Sequence, residues 1–224
     1  MEPRDRRPRV RPVRLTVRPV RPPAVRTAHV TVLFADLRGY TGMAERLPAA
    51  RVVPLLDEFL RTLAAAAEKF GGTIFHMAGD GLMAGFAVDD DGGNGAHDAL
   101  AAGRAMLQDF VPVAARWRRE LDIEAGIGIG LHLGDVAVGE LGPAPHQAIT
   151  LVGDTVNVAA RLCSRARAGE VLFSCTVAAA LEATAPANAV TGGAPFLQLP
   201  QFELRGRRGP IDIWCLPAIS RLAL

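Results

Sequence analysis

Residues 29–41 read His-Val-Thr-Val-Leu-Phe-Ala-Asp-Leu-Arg-Gly-Tyr-Thr. The first eight, His29–Asp36, are β-branched and apolar, which is the composition of a buried strand. An acid closes the strand, a glycine follows, and helix-period leucines begin a few residues on. A strand, a short turn and a helix in succession point backbone N–H groups at one spot, which suits phosphate oxygens. Arg38, Gly39, Tyr40 and Thr41 are therefore candidate phosphate-binding positions. A carboxylate beside those N–H groups needs a cation between itself and a phosphate, and Mg²⁺ does this with one or two carboxylates plus substrate phosphates. Asp36 is a candidate metal ligand on that reasoning. Taken alone, a helix-capping aspartate is the simpler reading.

Outward from this stretch the chain alternates helices and strands. Ala44–Phe70 reads as one or two helices, with Leu47, Leu55, Leu56, Phe59, Leu60 and Leu63 at helical spacing and Pro48 and Pro54 breaking the first part. Gly71-Gly72 ends it. Thr73–Met77 and Leu82–Val88 read as a hairpin around Ala78-Gly79-Asp80-Gly81. His97–Glu120 is a second long helix. Ile123–Leu133 and Val136–Gly139 read as a strand pair turning at Gly134-Asp135, and Ile149–Val152 as a further short strand. Asp154–Ala166 reads as a helix capped by Asp154 or Thr155. Val171–Ser174 is a strand, and a short helix follows near Thr176–Ala183. Phe196–Leu204 and Ile211–Leu216 close the chain as two strands. Antiparallel hairpins among alternating helices imply an α+β fold, a mixed sheet covered by helices.

Two further clusters carry chemistry. Asp80 sits in the hairpin turn Gly79-Asp80-Gly81, itself an ordinary turn signal. The first strand and this hairpin are expected to be sheet neighbours, which would place Asp36 and Asp80 at one end of the sheet. Two carboxylates meeting there repel unless cations bind them, and paired metals are a common device for phosphoryl transfer. In Thr150-Leu-Val-Gly-Asp-Thr-Val-Asn157-Val-Ala-Ala-Arg161, Asn157 and Arg161 share a helix face. They form either a solvated stripe or a clamp on a phosphoryl group as its charge redistributes.

Composition bounds the rest. The 224 residues are half hydrophobic, enough for one domain with a sizeable aliphatic core. The formal charge of +2 conceals an asymmetry: residues 1–26 hold nine arginines against Glu2 and Asp5, while the remainder has 16 basic and 21 acidic residues. The Arg/Pro-rich stretch 1–27 excludes a helix and favours extended backbone. It reads as a flexible leader, or as an arm for an acidic partner. It lacks interleaved aromatics and a reading helix, so specific nucleic-acid recognition is not expected. No apolar run is long enough for a transmembrane segment, and the basic start has no apolar segment of a secretory signal. Cys163, Cys175 and Cys215 are too few and too scattered for a disulfide framework or a zinc site, and read as thiols of a cytoplasmic protein.

Together, Phe34-Ala-Asp-Leu-Arg-Gly-Tyr-Thr41, Gly71-Gly-x4-Met-Ala-Gly-Asp-Gly-Leu-Met-Ala-Gly-Phe86 and Leu151-Val-Gly-Asp-Thr-Val-Asn-Val-Ala-Ala-Arg-Leu162 resemble the class III adenylate/guanylate cyclase family, in its order and spacing. The resemblance covers about residues 28–217. It implies a catalytic domain over residues 28–219, followed by a tail, 220–224, with a ferredoxin-like βαββαβ core. It also implies a head-to-tail homodimer with active sites at the subunit interface. By the same resemblance, Asp36 and Asp80, with the backbone carbonyl of Leu37, hold two Mg²⁺ or Mn²⁺ ions. Asn157 from the other subunit contacts the ribose, and Arg161 stabilises the α-phosphate. The expected reaction converts a nucleoside triphosphate, ATP first, to the 3′,5′-cyclic mononucleotide and pyrophosphate. Arg205 and Arg207, near the closing hairpin, are candidates for the β,γ-phosphates.

The departure lies at His76. Adenylate cyclases of the family usually have lysine there and guanylate cyclases glutamate, whereas the sole lysine of this chain is Lys69. Histidine donates or accepts according to tautomer and pH, so it fits neither purine rule. The partner position is Thr150, which is familiar in bacterial adenylate cyclases. Thr150 thus favours adenine, while His76 leaves GTP, UTP or CTP open. Position 76 is also the one feature favouring a non-catalytic nucleotide-binding signalling module.

Overall fold

The computed structural model describes residues 25–89, 93–143, 145–184, 196–203 and 209–217. The element order is β1 (Arg26–Arg38), α1 (Tyr40–Arg46), α2 (Ala49–Lys69), β2 (Thr73–Ala78), β3 (Gly81–Phe86), α3 (Ala96–Leu121), β4 (Gly126–Leu141), β5 (Ala148–Val152), α4 (Asp154–Arg165), β6 (Glu170–Ser174), α5 (Cys175–Thr184), β7 (Leu197–Phe202) and β8 (Ile211–Leu216). They form one eight-stranded sheet of order β2-β3-β1-β4-β6-β8-β7, with β5 paired to β4. Among the described residues only β4 and β6 run parallel; every other pairing there is antiparallel. This is the mixed α+β architecture expected from the sequence. Residues 1–24 of the Arg/Pro-rich arm, Arg205, Arg207 and the tail lie outside the described residues. The arm expected to run to residue 27 gives way earlier, because β1 begins at Arg26, paired to Val138.

The alternation of β1 sorts the two faces. Leu33, Ala35 and Leu37 join the main core with Phe59 and Leu63 of α2, Phe110 and Trp117 of α3, and Leu181 of α5. Val30 and Val32 point to the opposite face, where α4 packs through Val158, Ala159 and Leu162. Period-two alternation places Asp36 on this second face. Edge-to-face contacts between Phe59 and Phe110 (5.3 Å) and between Phe110 and Trp117 (5.4 Å) stitch α2 to α3.

The stretch 44–70, expected as one or two helices, is two: the end of α1, which starts earlier at Tyr40, and α2. Pro48 is the N-cap of α2 and forces the break, while Pro54 lies inside α2. The expected turn at Gly134-Asp135 is a correction: β4 runs unbroken through it, paired to β1 from Arg26↔Val138 to Arg38↔Gly126. A thirteen-residue partner on one edge outweighs a Gly-Asp turn signal. Gly134 serves another purpose there, since a Cβ on it would stand 2.7 Å from Thr155 Oγ1. The capping of α4 is corrected too. Gly153 is its N-cap, with no side-chain cap bond. Thr155 instead donates from Oγ1 to Asp135 O at 2.7 Å, tying the helix start to β4.

Candidate active site

Register brings the two aspartates together. β1 pairs with β3 so that Asp36 lies opposite Gly81. Just before it, Gly79 takes a φ of 58°, the positive value that opens a primed hairpin turn and favours glycine. The turn is fastened to β1 by Leu37 N donating to Asp80 O at 2.9 Å. A Cβ on Gly81 would lie 3.5 Å from Asp36 Oδ1, so this glycine leaves one edge of the carboxylate uncovered. The juxtaposition has an electrostatic signature. Burial first, and the charge of Asp80 second, push the Asp36 carboxyl above its ordinary value, against the opposing pull of Arg38.

The stretch after Asp36 folds for a steric reason. Gly39 has a φ of 94°, and a Cβ there would stand 2.2 Å from Glu124 O. Only glycine lets the chain turn from β1 into α1 against that carbonyl. The structure commits Arg38 differently from the phosphate contact expected of it. Its Nη1 pairs with Asp36 Oδ2, its Nη2 donates to Cys163 O, and its Nε donates to Ala166 O at 2.9 Å. Thr41 stays exposed at the start of α1, and Tyr40 packs against the core.

Asp36 and His76 line one pocket of about 260 Å³, together with Phe34, Leu82, Ala160 and Cys163 among others. His76 is exposed on β2, opposite Met83 and next to a bulge after Ile74. Thr150 is half-buried on β5, opposite Gly139, and does not line this pocket. Asn157 and Arg161 do not line it either. They lie on α4 beside the Ala160 and Ser164 that do, Asn157 exposed and Arg161 half-buried. A larger apolar groove of about 680 Å³ lies on the α3 side, lined by Leu107, Phe110, Val111 and Ala114 among others. It holds no carboxylate, so chemistry rather than size marks the site.

The donor set fits a hard divalent cation. Two carboxylates from adjacent strand ends offer oxygen ligands, and Mg²⁺ completes its shell with water and substrate phosphates rather than a protein cage. Among the described residues no group of three or more His, Cys, Asp or Glu side chains could form such a cage. Cys163 is a protonated thiol in the metal-free site: burial, the largest cause, pushes it up to about 12, and its Sγ donates to Gly128 O at 3.2 Å.

The feature that sequence reading missed is a lane of glycines on β4. Gly126, Gly128, Gly130 and Gly134 share the face opposite Ile127, Ile129, Leu131 and Leu133 of the core. On that face α4 covers Gly130 and Gly134, the Arg38 side chain covers Gly128, and Ala168 faces Gly126. A Cβ on Gly130 would stand 2.1 Å from Cys163 N and 2.4 Å from Ala159 O, so α4 rests on the sheet at backbone contact. The period-two run Gly-Ile-Gly-Ile-Gly is the signal that could have revealed it.

The chain matches the family model described as the adenylate and guanylate cyclase catalytic domain over residues 23–217, and it belongs to that family. It is 33% identical over 147 residues to an adenylate cyclase of Anabaena cylindrica, covering 62% of this chain and 28% of the relative. The chain spans about a quarter of the length of the curated relatives it matches. The adenylyl cyclase CyaB from P. aeruginosa superposes with a TM-score of 0.76 at 27% identity, covering 86% of this chain and 95% of that structure. The guanylyl cyclase Cya2 superposes with a TM-score of 0.72 at 26% identity, covering 88% and 94%. Among the described residues no helix is long and apolar enough to cross a membrane.

Proposed function

We propose that this domain is a homodimeric nucleotidyl cyclase that turns ATP into 3′,5′-cyclic AMP and pyrophosphate. One observation carries the reading: the Asp36–Asp80 pair held at one sheet end by the Leu37–Asp80 hydrogen bond. Family membership supplies the reaction class.

Two divalent ions, Mg²⁺ or Mn²⁺, would be held by Asp36, Asp80 and the Leu37 carbonyl; bound there, they would neutralise triphosphate charge and acidify the ribose 3′-hydroxyl. Around them the chain positions and stabilises. Asn157 orients the ribose, and Arg161 stabilises charge on the α-phosphate as the 3′-oxygen attacks in line. Among the described residues neither side chain has a hydrogen-bond or ion-pair partner within the chain, and neither lines the Asp36 pocket. That is the arrangement expected if each serves the site of a second copy. His76, lining the pocket beside Asp36, and Thr150 are the base-reading positions in this account. Arg205 and Arg207 remain candidates for the β,γ-phosphates. The free cysteines suit the reducing cytoplasm in which this function would operate.

The test is product identification by mass spectrometry after incubation with Mn²⁺ and each of ATP, GTP, UTP and CTP. Cyclic AMP as the main product is expected; a cyclic product from another triphosphate with none from ATP would reassign the base to His76. Asp36→Ala should abolish product, and undiminished turnover would overturn the metal reading. Mixing Asp36→Ala with Arg161→Ala chains should restore part of the activity, because one of the two hybrid sites is intact. Stable mixed dimers without rescue would remove the shared site.

A further inference from the structure

We propose that Arg38 is a positioning residue that couples the Asp36 carboxylate to helix α4, so that the aspartate half and the Asn157–Arg161 half of each chain move as one unit. This rests on the reading of Asp36 as a metal ligand. Three of its five N–H donors are spoken for by two elements. Nη1 meets Asp36 Oδ2; Nη2 and Nε meet Cys163 O and Ala166 O, at the C-terminal end of α4. Cys163 O already accepts the backbone N–H of Ala166, the residue that caps α4, at 3.0 Å. The guanidinium adds a charged donor to it and to Ala166 O at the negative end of the helix dipole, where it reinforces the C-cap. The same group fixes which edge of Asp36 is engaged: Oδ2 faces Arg38, while Oδ1 faces Gly81 and the Asp80 turn.

The slot for this side chain is built by the glycine lane. A Cβ on Gly128 would stand 2.5 Å from Arg38 Nη2 and 2.7 Å from both Cζ and Nε. The guanidinium therefore lies flat against the bare backbone of β4, beneath the end of α4. Lysine carries the charge but not the fork, and cannot span carboxylate and carbonyls together. Each chain is read as giving its aspartates to one site and α4 to the other. Arg38 is then the link inside one chain between the two sites of a dimer.

The experiment compares wild type with Arg38→Gln, Arg38→Lys and Gly128→Ala in the full chain. Gly128→Ala displaces only the far end of a flexible side chain, so it tests the slot without threatening the fold. The first readout is amide hydrogen exchange along α4, metal-free and with Mn²⁺ alone. Arg38→Gln should speed exchange in the last turn of α4 about tenfold, the effect of losing hydrogen bonds from a charged donor. Mn²⁺ should alter α4 exchange in the wild type and leave it unchanged in Arg38→Gln. The second readout is the KM-against-kcat split: kcat falls about tenfold to a hundredfold with KM for the triphosphate nearly constant. Gly128→Ala should reproduce the effect, the double variant should be no worse than Arg38→Gln, and lysine should not rescue. Unchanged α4 exchange in Arg38→Gln, no response of wild-type α4 to Mn²⁺, or a rise in KM at constant kcat would each overturn the proposal, the last returning Arg38 to phosphate binding. The exchange of metal-free Arg38→Gln is informative even if no triphosphate is turned over, so failure of the coupling and failure of the cyclase reading are separable.

Discussion

On one face of the sheet α2, α3 and α5 stand off from the strands, and the gap is filled by large side chains such as Phe59, Phe110, Trp117 and Ile129. On the other face α4 lies directly on Gly130, close enough that its own backbone touches β4, and the Arg38 guanidinium lies on Gly128. The first face buries volume and the second brings backbone groups into register. Asp36, Arg38, Asn157 and Arg161 all belong to the second, and Leu37, whose side chain sits in the first, enters the proposed chemistry only through its backbone carbonyl. A core of large side chains can repack around a lost methylene. A helix seated on bare backbone has no side chain that can give way.

The largest effect is therefore expected where a small residue grows. Gly130→Val places new atoms within 2.1–2.4 Å of α4 backbone atoms, and nothing flexible can yield. It should destabilise the domain by about 4 kcal/mol or more, the range of severe core overpacking. The fall in urea midpoint at constant slope measures this. A variant as stable as wild type would mean that α4 does not sit at backbone contact.

Next comes a large residue made small on the opposite face. Trp117→Ala should cost about 3–5 kcal/mol, including the loss of the 3.2 Å hydrogen bond from Nε1 to Glu58. Turnover per folded molecule should be almost unchanged, because Trp117 touches only the α2–α3 side. A matching fall in kcat at temperatures where the variant remains folded would break the division between the faces.

This division also explains what the sequence disclosed. The core face was readable because burial imposes a period: Leu33, Ala35 and Leu37 on β1 and the leucines of α2 declare themselves by spacing. Asp36 and Asp80 were readable as a pair because adjacent strands bring their ends together. The glycine lane is not legible in the same way, since glycine signals turns as often as close approach; Gly134-Asp135 carries a hairpin signal yet lies in the middle of β4. The engagement of Arg38 was hidden for a different reason. Its partners, Cys163 O and Ala166 O, are backbone atoms more than a hundred residues away, and backbone carbonyls leave no mark in a sequence.

The smallest expected effect is the most direct probe of charge on the functional face. Burial and Asp80 raise the Asp36 pKa above its unfolded value of 3.8. A raised carboxyl binds its proton more tightly in the folded state. The resulting stability is fully present below the unfolded pKa and is lost as pH rises through the folded one. At neutral pH the ionised carboxylate is thus a mild burden on the metal-free fold. Asp36→Asn removes that burden and can still accept a hydrogen bond from Arg38. In chelator, the variant should be more stable than wild type at neutral pH by less than about 1 kcal/mol, since the carboxylate is more than a third exposed and solvent screens it. The advantage should vanish below pH 3.8, where both side chains are neutral. Paired urea titrations at the two pH values measure the difference, and an equal gap at both would refute the electrostatic origin. Adding Mn²⁺ at neutral pH should then stabilise wild type and leave Asp36→Asn nearly unmoved. The charge that slightly weakens the bare domain is, on this account, what holds the cation, and no residue of the α2–α3 face should show that reversal.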